Sequence, residues 1–354
     1  MLDESFWRGR RVFVTGHTGF KGAWLCLWLQ SMGAEVAGLS DRVPTDPGLY
    51  EVADVASGMA FDERHDVRDA DAVTRAIGRF APEVLFHMAA QPLVRRSFAA
   101  PAETFDVNVM GTVNVLDAAR AVESVRAIIV VTSDKCYENR GWEWGYRERD
   151  AMGGHDPYSA SKGAAELVVA SYRRSFFSDP SGAALASARA GNVIGGGDWA
   201  PERLIPDLVH AALAGETLRI RNPTAVRPWQ HVVSPLSGYL LLAQSLCSDP
   251  AFAGGWNFGP SDDEAMPVSS VVEAMRGRWG GRPAWEADAG PHPHEAAYLK
   301  LDSSRARLRL GWRPLVPLAD ALASIVDWHE AMVAGADMRA TTLRQLRALV
   351  DLPA

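Results

Sequence analysis

From Arg11 to about Arg189, short apolar or β-branched runs alternate with stretches whose apolar residues recur at spacings of three and four. The runs Arg11 to Thr15, Glu35 to Leu39, Met59 to Phe61, Val84 to Met88, Ala127 to Thr132 and Ala184 to Ala190 predict strands. Helices are predicted over Phe20 to Met32, Asp69 to Phe80, Pro101 to Val122 and Pro157 to Phe177. This rhythm points to an α/β fold, a doubly wound parallel sheet covered on both faces, with ligands bound outside the carboxyl ends of the strands. After Gly191 the rhythm gives way to Gly195-Gly196-Gly197-Asp198-Trp199 and to shorter helical patterns near Ser234 to Cys247, Val268 to Arg278 and Pro317 to Val333. The expected division is a first domain over 1–190 and a smaller C-terminal lobe over 191–354, with room for some segments to return to the first domain. The tail from Ala334 to Ala354 carries a helical pattern and no functional signal.

Composition narrows the function classes. A chain of 354 residues, 47% hydrophobic, can bury a large core. Its net charge is -7 with no basic block, which argues against a nucleic acid or an anionic membrane as partner and favours a small-molecule substrate. Cys26, Cys136 and Cys247 are far apart and form no Cys-x-x-Cys pair, so neither a disulfide framework nor a metal site is expected. The segment Met1 to Arg11 has no apolar signal core, and runs such as Ala23 to Leu29 are too short to span a bilayer. A cytoplasmic, soluble protein is the expectation.

Three glycines, Gly16, Gly19 and Gly22, stand at Gly-x-x-Gly-x-x-Gly spacing between the first strand and the first helix. Glycine allows a tight turn and close approach to a pyrophosphate, and the helix start offers unpaired N–H groups. At the first strand–helix junction this predicts a Rossmann-type dinucleotide site built from Gly16, His17, Thr18, Gly19, Phe20 and Gly22. Asp41, at the end of the second strand, is placed to accept the adenosine ribose hydroxyls and favours NAD over NADP, while Arg42 offers the opposite preference. Asp66 and Val67 follow the third strand, where a carboxylate can reach the adenine amine or simply cap the next helix. Ala89, Ala90 and Gln91 follow the fourth, where small side chains let a cofactor lie against the backbone.

Tyr158 and Lys162 stand at i and i+4, so a phenol and an ammonium project from one helix face. The ammonium is expected to lower the phenol's pKa and make it a base near neutral pH. A surface pair is the plain alternative, but the helix follows the fifth strand, the hydroxyl-bearing Thr132-Ser133 precedes it, and a dinucleotide turn opens the chain.

The glycine turn, Ala89-Ala90, Asn108, Ser133, Tyr158-x-x-x-Lys162 and Arg189-Ala190-Gly191-Asn192-Val193 together resemble the extended short-chain dehydrogenase/reductase family over nearly the whole chain. The resemblance implies that Ser133 and Tyr158 bind the reacting hydroxyl and that Lys162 holds the nicotinamide ribose. It adds Asn108, Thr132, Tyr158 and Lys162 to the NAD contacts, makes 1–190 the NAD-binding domain and 191–354 mainly a nucleotide-sugar lobe, and implies a homodimer. Within the family, Thr132 to Asn139, Met152 to Tyr158, Gly196 to Asp207 and Arg227 to Val232 resemble the nucleotide-sugar 4,6-dehydratases that act on CDP-glucose. The thymidine-nucleotide dehydratases carry Asp-Glu where this chain has Asp134-Lys135.

That resemblance implies conversion of CDP-glucose to CDP-4-keto-6-deoxyglucose. Oxidation at C4 acidifies the C5 proton, elimination removes the C6 hydroxyl, and the hydride returns to C6. Asp134 is assigned as acid and Lys135 as base. The substrate set is Arg95, Ser133, Asn192, Arg203, Arg227 and Tyr298, with Lys300 nearby and Trp229 and His231 as either core or base-stacking residues. A 4-epimerase needs Tyr158 and Lys162 but has no use for Asp134 and Lys135, and a non-catalytic NAD sensor on this fold usually lacks the Tyr–Lys pair. The nucleotide base rests on resemblance alone.

Overall fold

A computed structural model describes residues 2–261, 264–288, 290 and 299–351. Its centre is a seven-stranded, all-parallel sheet. The strands are β1 (Arg11–Thr15), β2 (Glu35–Ser40), β3 (Met59–Arg64), β4 (Val84–His87), β5 (Ala127–Val131), β6 (Ala184–Arg189) and β7 (Gly254–Asn257), in the order β7-β6-β5-β4-β1-β2-β3. The order reverses between β1 and β4, so a crevice opens at the carboxyl ends of those two strands.

Alternation along each strand builds two cores. Val12 and Val14 point to one face, where they join Trp24, Leu25 and Trp28 of the helix Phe20–Ser31 and Leu236 and Leu240 of the helix Val233–Ser248. Phe13 points to the other face, with Val73 and Ile77 of the helix Ala70–Phe80, Val115 and Leu116 of Gly111–Arg120, and Val169 of Pro157–Ser175. Each fully buried side chain of this size contributes roughly 1.5–3 kcal/mol.

The structure departs from the sequence pattern in two instructive places. The expected helix over Pro101 to Val122 is Pro101–Phe105, a π-helical turn Asp106–Met110, then Gly111–Arg120. The wider turn carries Asn108, whose buried amide is consumed by Gln91 and Ser161. The seventh strand was not legible because Gly-Gly-Trp-Asn lacks β-branched residues. Its Gly255 is needed for space, since a Cβ there would lie 2.4 Å from the Arg189 guanidinium.

Among the described residues beyond β6, three two-stranded pairs form: Val193–Ile194 with Gln230–His231, Val226–Pro228 with Ala265–Pro267, and Leu218–Ile220 with Trp285–Ala287. The helix Met338–Val350 is capped by Asp337 and returns to the helix Phe20–Ser31 through Arg339 to Gln30, 2.8 Å. Among the described residues no helix is long and apolar enough to cross a membrane, and no cluster of metal-ligating side chains occurs.

Candidate active site

The glycine turn closes because two of its glycines have no room for a side chain. Gly16 has φ +73°, and a Cβ on it would lie 2.6 Å from the Ala89 backbone. A Cβ on Gly22 would lie 2.1 Å from the Gly16 carbonyl oxygen. Gly19 precedes the helix Phe20–Ser31 with no side-chain cap, so the N–H groups of the first turn face the crevice with the positive end of a twelve-residue helix behind them. This donor set fits a pyrophosphate.

The side chains around the turn are anchored to protein. The Thr18 hydroxyl donates to the Arg42 carbonyl at 2.6 Å, which draws the end of β2 to the turn. The Asp41 carboxylate beside it is exposed and accepts from the Arg42 N–H at 2.9 Å. His17 is buried and wedged under β2, its ring nitrogens 2.8 Å from Asp62 Oδ1 and 3.0 Å from Ser40 Oγ. Tyr50 and Arg64 complete this set by hydrogen-bonding the other Asp62 oxygen. Asp66 is occupied by Arg68, which holds its carboxyl below the usual range, and Val67 packs under Gly111.

Ala89 and Ala90 lie against Gly16, with the Ala89 N–H on Thr15 Oγ1 at 3.3 Å. Gln91 and Asn108 act as a brace. Asn108 accepts from the Gln91 N–H at 2.8 Å and donates to Ser161 Oγ at 2.8 Å, and Ser161 in turn donates to the Tyr158 carbonyl at 2.7 Å. The loop after β4 is thereby tied to the helix that carries Tyr158. Phe20 borders Gly195 at the entrance to the second lobe.

At the end of β5, Ser133 caps a short 3-10 turn, Asp134–Cys136, and donates to Asp134 Oδ1 at 2.9 Å. Ser133 also hydrogen-bonds the Tyr158 phenol. Asp156 caps the helix Pro157–Ser175 and Pro157 occupies its first position, which brings Tyr158 into the first turn facing Ser133. Ser133, Asp134, Tyr158 and Lys162 are all buried. Lys135 is half-buried on the same turn.

The expected depression of the phenol by the ammonium is corrected by the burial of both groups. Burial pushes Tyr158 up to about 12, opposed by the Ser133 hydrogen bond and by Arg203, while Asp134 adds to the rise. Burial lowers Lys162 to about 8, with Glu166 opposing. Glu166, one turn further along the helix, lies beneath the site. It accepts from Thr132 at 2.6 Å and Ser187 at 2.7 Å, and from Arg189 through two bonds of 2.8 and 2.7 Å.

The substrate candidates divide. Arg203, at the start of the helix Leu204–Ala214, reaches the electrostatic field of Tyr158 and is steadied by Asp198 at 3.2 Å. Arg95 pairs with Glu202 at 3.1 Å, adjacent to Arg203. Asn192 follows β6 in the left-handed region, φ 49°, where its carbonyl accepts from the Gln230 N–H. Gly191 beside it leaves space for Asp134, whose carboxylate a Cβ would strike. Arg227 lies on the Val226–Pro228 strand and donates to the Val226 carbonyl at 3.2 Å. Tyr298 lies outside the described residues. Trp229 and His231 are core: the Trp229 indole donates to the Met266 carbonyl, and His231 is fully buried, its pKa lowered to about 3.

Two site residues went unread in the sequence. Glu166 is one helical turn beyond Lys162, a spacing that offers a signal; Lys21 sits inside the glycine turn itself, where only its charge distinguishes it.

The GDP-mannose 4,6 dehydratase family model matches residues 13–325. The chain is 51% identical to the CDP-glucose 4,6-dehydratase of Salmonella typhimurium, over 98% of each chain. Among solved structures it is similar to DesIV, a dTDP-glucose 4,6-dehydratase from Streptomyces venezuelae with NAD bound, at 25% identity and TM-score 0.78, covering 92% of this chain and 99% of that one. The NAD complex of the Thermus thermophilus UDP-glucose 4-epimerase aligns at 26% identity and TM-score 0.77, over 90% and 98% of the two chains.

Proposed function

The chain belongs to the GDP-mannose 4,6-dehydratase family of extended short-chain dehydrogenase/reductases, and from that premise we propose that it is an NAD-dependent hydro-lyase converting CDP-glucose to CDP-4-keto-6-deoxyglucose. The observation that carries this reading is the buried carboxylate of Asp134 hydrogen-bonded to Ser133, which also bonds the Tyr158 phenol. Oxidation of an alcohol needs Tyr158 and Lys162; loss of water next to the oxidised carbon needs an additional acid, and Asp134 supplies one.

In the proposed mechanism Ser133 and Tyr158 hold the C4 hydroxyl, and Tyr158 removes its proton. Arg203 places positive charge where the phenol must become anionic, and Lys162 stands one turn further along the helix that carries Tyr158. Bound NAD supplies the acceptor for the C4 hydride and the donor that returns it to C6. The C4 ketone acidifies C5; Lys135 takes the C5 proton and Asp134 protonates the C6 hydroxyl, which leaves as water. Lys135 gives its proton back to C5 when the hydride reaches C6, and Asp134 regains a proton as Tyr158 gives up the one it took from the C4 hydroxyl. Gly16, His17, Thr18, Gly19, Phe20 and Gly22 hold the cofactor diphosphate, His17 through its backbone because its ring is committed to Asp62 and Ser40. Asp41 would accept the ribose hydroxyls, and Ala89 and Ala90 would let the cofactor lie against the backbone. Arg203, Arg95, Arg227 and Asn192 serve the diphosphate and sugar of the substrate.

A homodimer is part of the proposal. Phe105, Met110, Leu167 and Phe176, on the packed helical segments 101–110 and 157–175 and their end, are exposed and apolar, and light scattering should return twice the 38.4 kDa chain mass. A cytoplasmic location is the companion expectation.

The test is a product assay with catalytic NAD+ and CDP-, UDP-, dTDP- and GDP-glucose. A keto-deoxy product from CDP-glucose, without net NAD+ consumption, supports the reading. Galactose as the sole product makes the protein an epimerase.

A further inference from the structure

β7 is the edge strand of the sheet, four places from β1, and among the described residues its free side is closed by side chains. The Gly255 carbonyl accepts from Arg305 at 2.8 Å, and the Asn257 N–H donates to Glu148 Oε1 at 3.2 Å. Outside these two side chains lies a cleft of about 770 Å³, which Arg147, Arg149 and Arg309 line with them. That volume falls within the roughly 300–1,000 Å³ of small-molecule sites. Neighbouring strands stand ~4.8 Å apart, so the cleft is roughly 20 Å across the sheet from the glycine turn. None of the residues placed in the mechanism above lines it.

Charge in the cleft is out of balance. Arg147 pairs with Asp302 at 3.4 Å, and Asp150 accepts from the Arg147 N–H at 2.8 Å, closing the turn that presents Arg149. Arg149, Arg305 and Arg309 have no carboxylate within ion-pair distance among the described residues. Burial lowers Arg305, Glu148 opposes, and Arg309, Arg189 and Arg149 add to the fall. Glu148 is a weak counterweight, because burial pushes its own carboxyl up toward the neutral form.

Two of the guanidiniums are also held in place. Arg305 lies over the Trp256 ring, 4.2 Å from its centre, and Arg309 lies over Phe252 at 5.3 Å while donating to the Ala251 carbonyl at 3.3 Å. Phe252 and Trp256 are themselves stacked at 5.9 Å, so both cations stand on one aromatic floor. Protection of the sheet edge accounts for Arg305 alone. It gives no reason for Arg149 and Arg309, which are exposed on the rims of the same cleft.

Planar guanidinium forks fixed in position and lacking carboxylates match phosphate oxygens, each fork taking two. A lone phosphate is too short to meet three of them at once; a chain of two or three phosphates is not. We propose that this cleft is a second anion site that takes an oligophosphate chain, free or as the tail of a nucleotide, apart from the catalytic crevice. Arg149 and Arg309 grip the chain from the rims and Arg305 from the floor.

The experiment is a calorimetric titration of full-length, NAD-loaded protein with magnesium-free tripolyphosphate. One saturable site per chain is expected. Arg149→Gln and Arg309→Gln should each weaken it roughly tenfold, the loss of one charge-assisted pair. Arg149→Lys should weaken it less, since the charge survives and only the fork is lost. Arg203→Gln, in the crevice, should leave the affinity within about twofold, as expected of a distant site. CTP separates the two sources through the part of its binding that Arg149→Gln removes: tighter than tripolyphosphate assigns a nucleotide, equal or weaker assigns the free chain. Absence of a saturable site at millimolar tripolyphosphate overturns the proposal. So does an affinity that falls with Arg203→Gln and not with Arg149→Gln, which moves the anion to the crevice. If Arg309→Gln does not fold, Arg149→Gln, at an exposed side chain without an ion-pair partner, decides alone.

Discussion

Arg189 grips Glu166 through two parallel hydrogen bonds, 2.8 and 2.7 Å, with both side chains only 4% exposed. The pair joins the end of β6 to the helix that carries Tyr158 and Lys162. Arg189 reaches on to the Tyr137 hydroxyl at 2.6 Å, and Tyr137 to Asn257 of β7 at 2.7 Å, so one buried polar chain crosses from the catalytic helix to the sheet edge. Every remaining oxygen lone pair on Glu166 that faces β5 and β6 is met by Thr132 or Ser187. The satisfied geometry is what makes a buried charge pair tolerable.

Glu166→Ala should therefore cost about 3–5 kcal/mol of folding stability, because Arg189 is left charged in the interior without a partner. Chemical denaturation at neutral pH measures the loss. A change under about 1 kcal/mol would mean that water enters and solvates Arg189, and that the pair is not a structural brace.

Tyr158→Phe should leave the fold and nucleotide affinity intact while turnover is lost. Only the hydroxyl that bonds Ser133, and that in the proposed mechanism takes the C4 proton, is removed, and the ring still fills its buried site. Dinucleotide binding by calorimetry and product formation are measured on the same preparation. Activity within a few-fold of the parent withdraws the tyrosine from the reaction.

The buried histidines predict acid sensitivity. Burial lowers His87 and His231 to about 3 and His329 to about 4, from an ordinary value of 6.5. In the window between those values the unfolded chain binds protons that the folded chain does not, so stability falls as pH falls from about 6.5 toward 4. Each histidine contributes on the order of 1–2 kcal/mol of loss between pH 7 and 5. Urea midpoints across that range test it, and a flat profile means that the rings protonate in place.

How much of this was legible differs by length scale. Strand–helix alternation located the first six strands to within three residues: five carry a β-branched or apolar run buried on both faces, and β3, at the sheet edge, alternates half-buried and exposed residues. β7 was invisible, since Gly255 answers to the Arg189 guanidinium and Gly254 lies beside that of Arg305, rather than either answering to strand propensity. Tyr158, Lys162 and the glycine turn were readable from spacing. The Asn108 brace and Glu166 were not readable as such, because their hydrogen-bond partners lie 17 to 53 and 21 to 34 residues away respectively. The phenol's pKa was misjudged for a related reason: spacing shows a lysine one turn away but not the burial that opposes it.

The role proposed for Asp134 separates dehydration from the other readings of this chain. The Asp134 carboxylate is buried against the Gly191 backbone and accepts from Ser133; in the proposed mechanism it takes no part in the oxidation and serves the elimination alone. Asp134→Asn keeps the shape and can still engage Ser133, but it has no carboxylic proton to give the departing C6 hydroxyl. C4 oxidation should proceed while elimination slows by roughly 10²- to 10⁴-fold, the range typical of a positioned acid. The two half-reactions then come apart, and NADH accumulates on the enzyme in a single turnover with CDP-glucose, where the parent shows only a transient. Simultaneous loss of NADH formation and product would place Asp134 in support of Ser133 and Tyr158 instead. Unchanged product formation would remove it from the chemistry altogether and leave the dehydration without an acid.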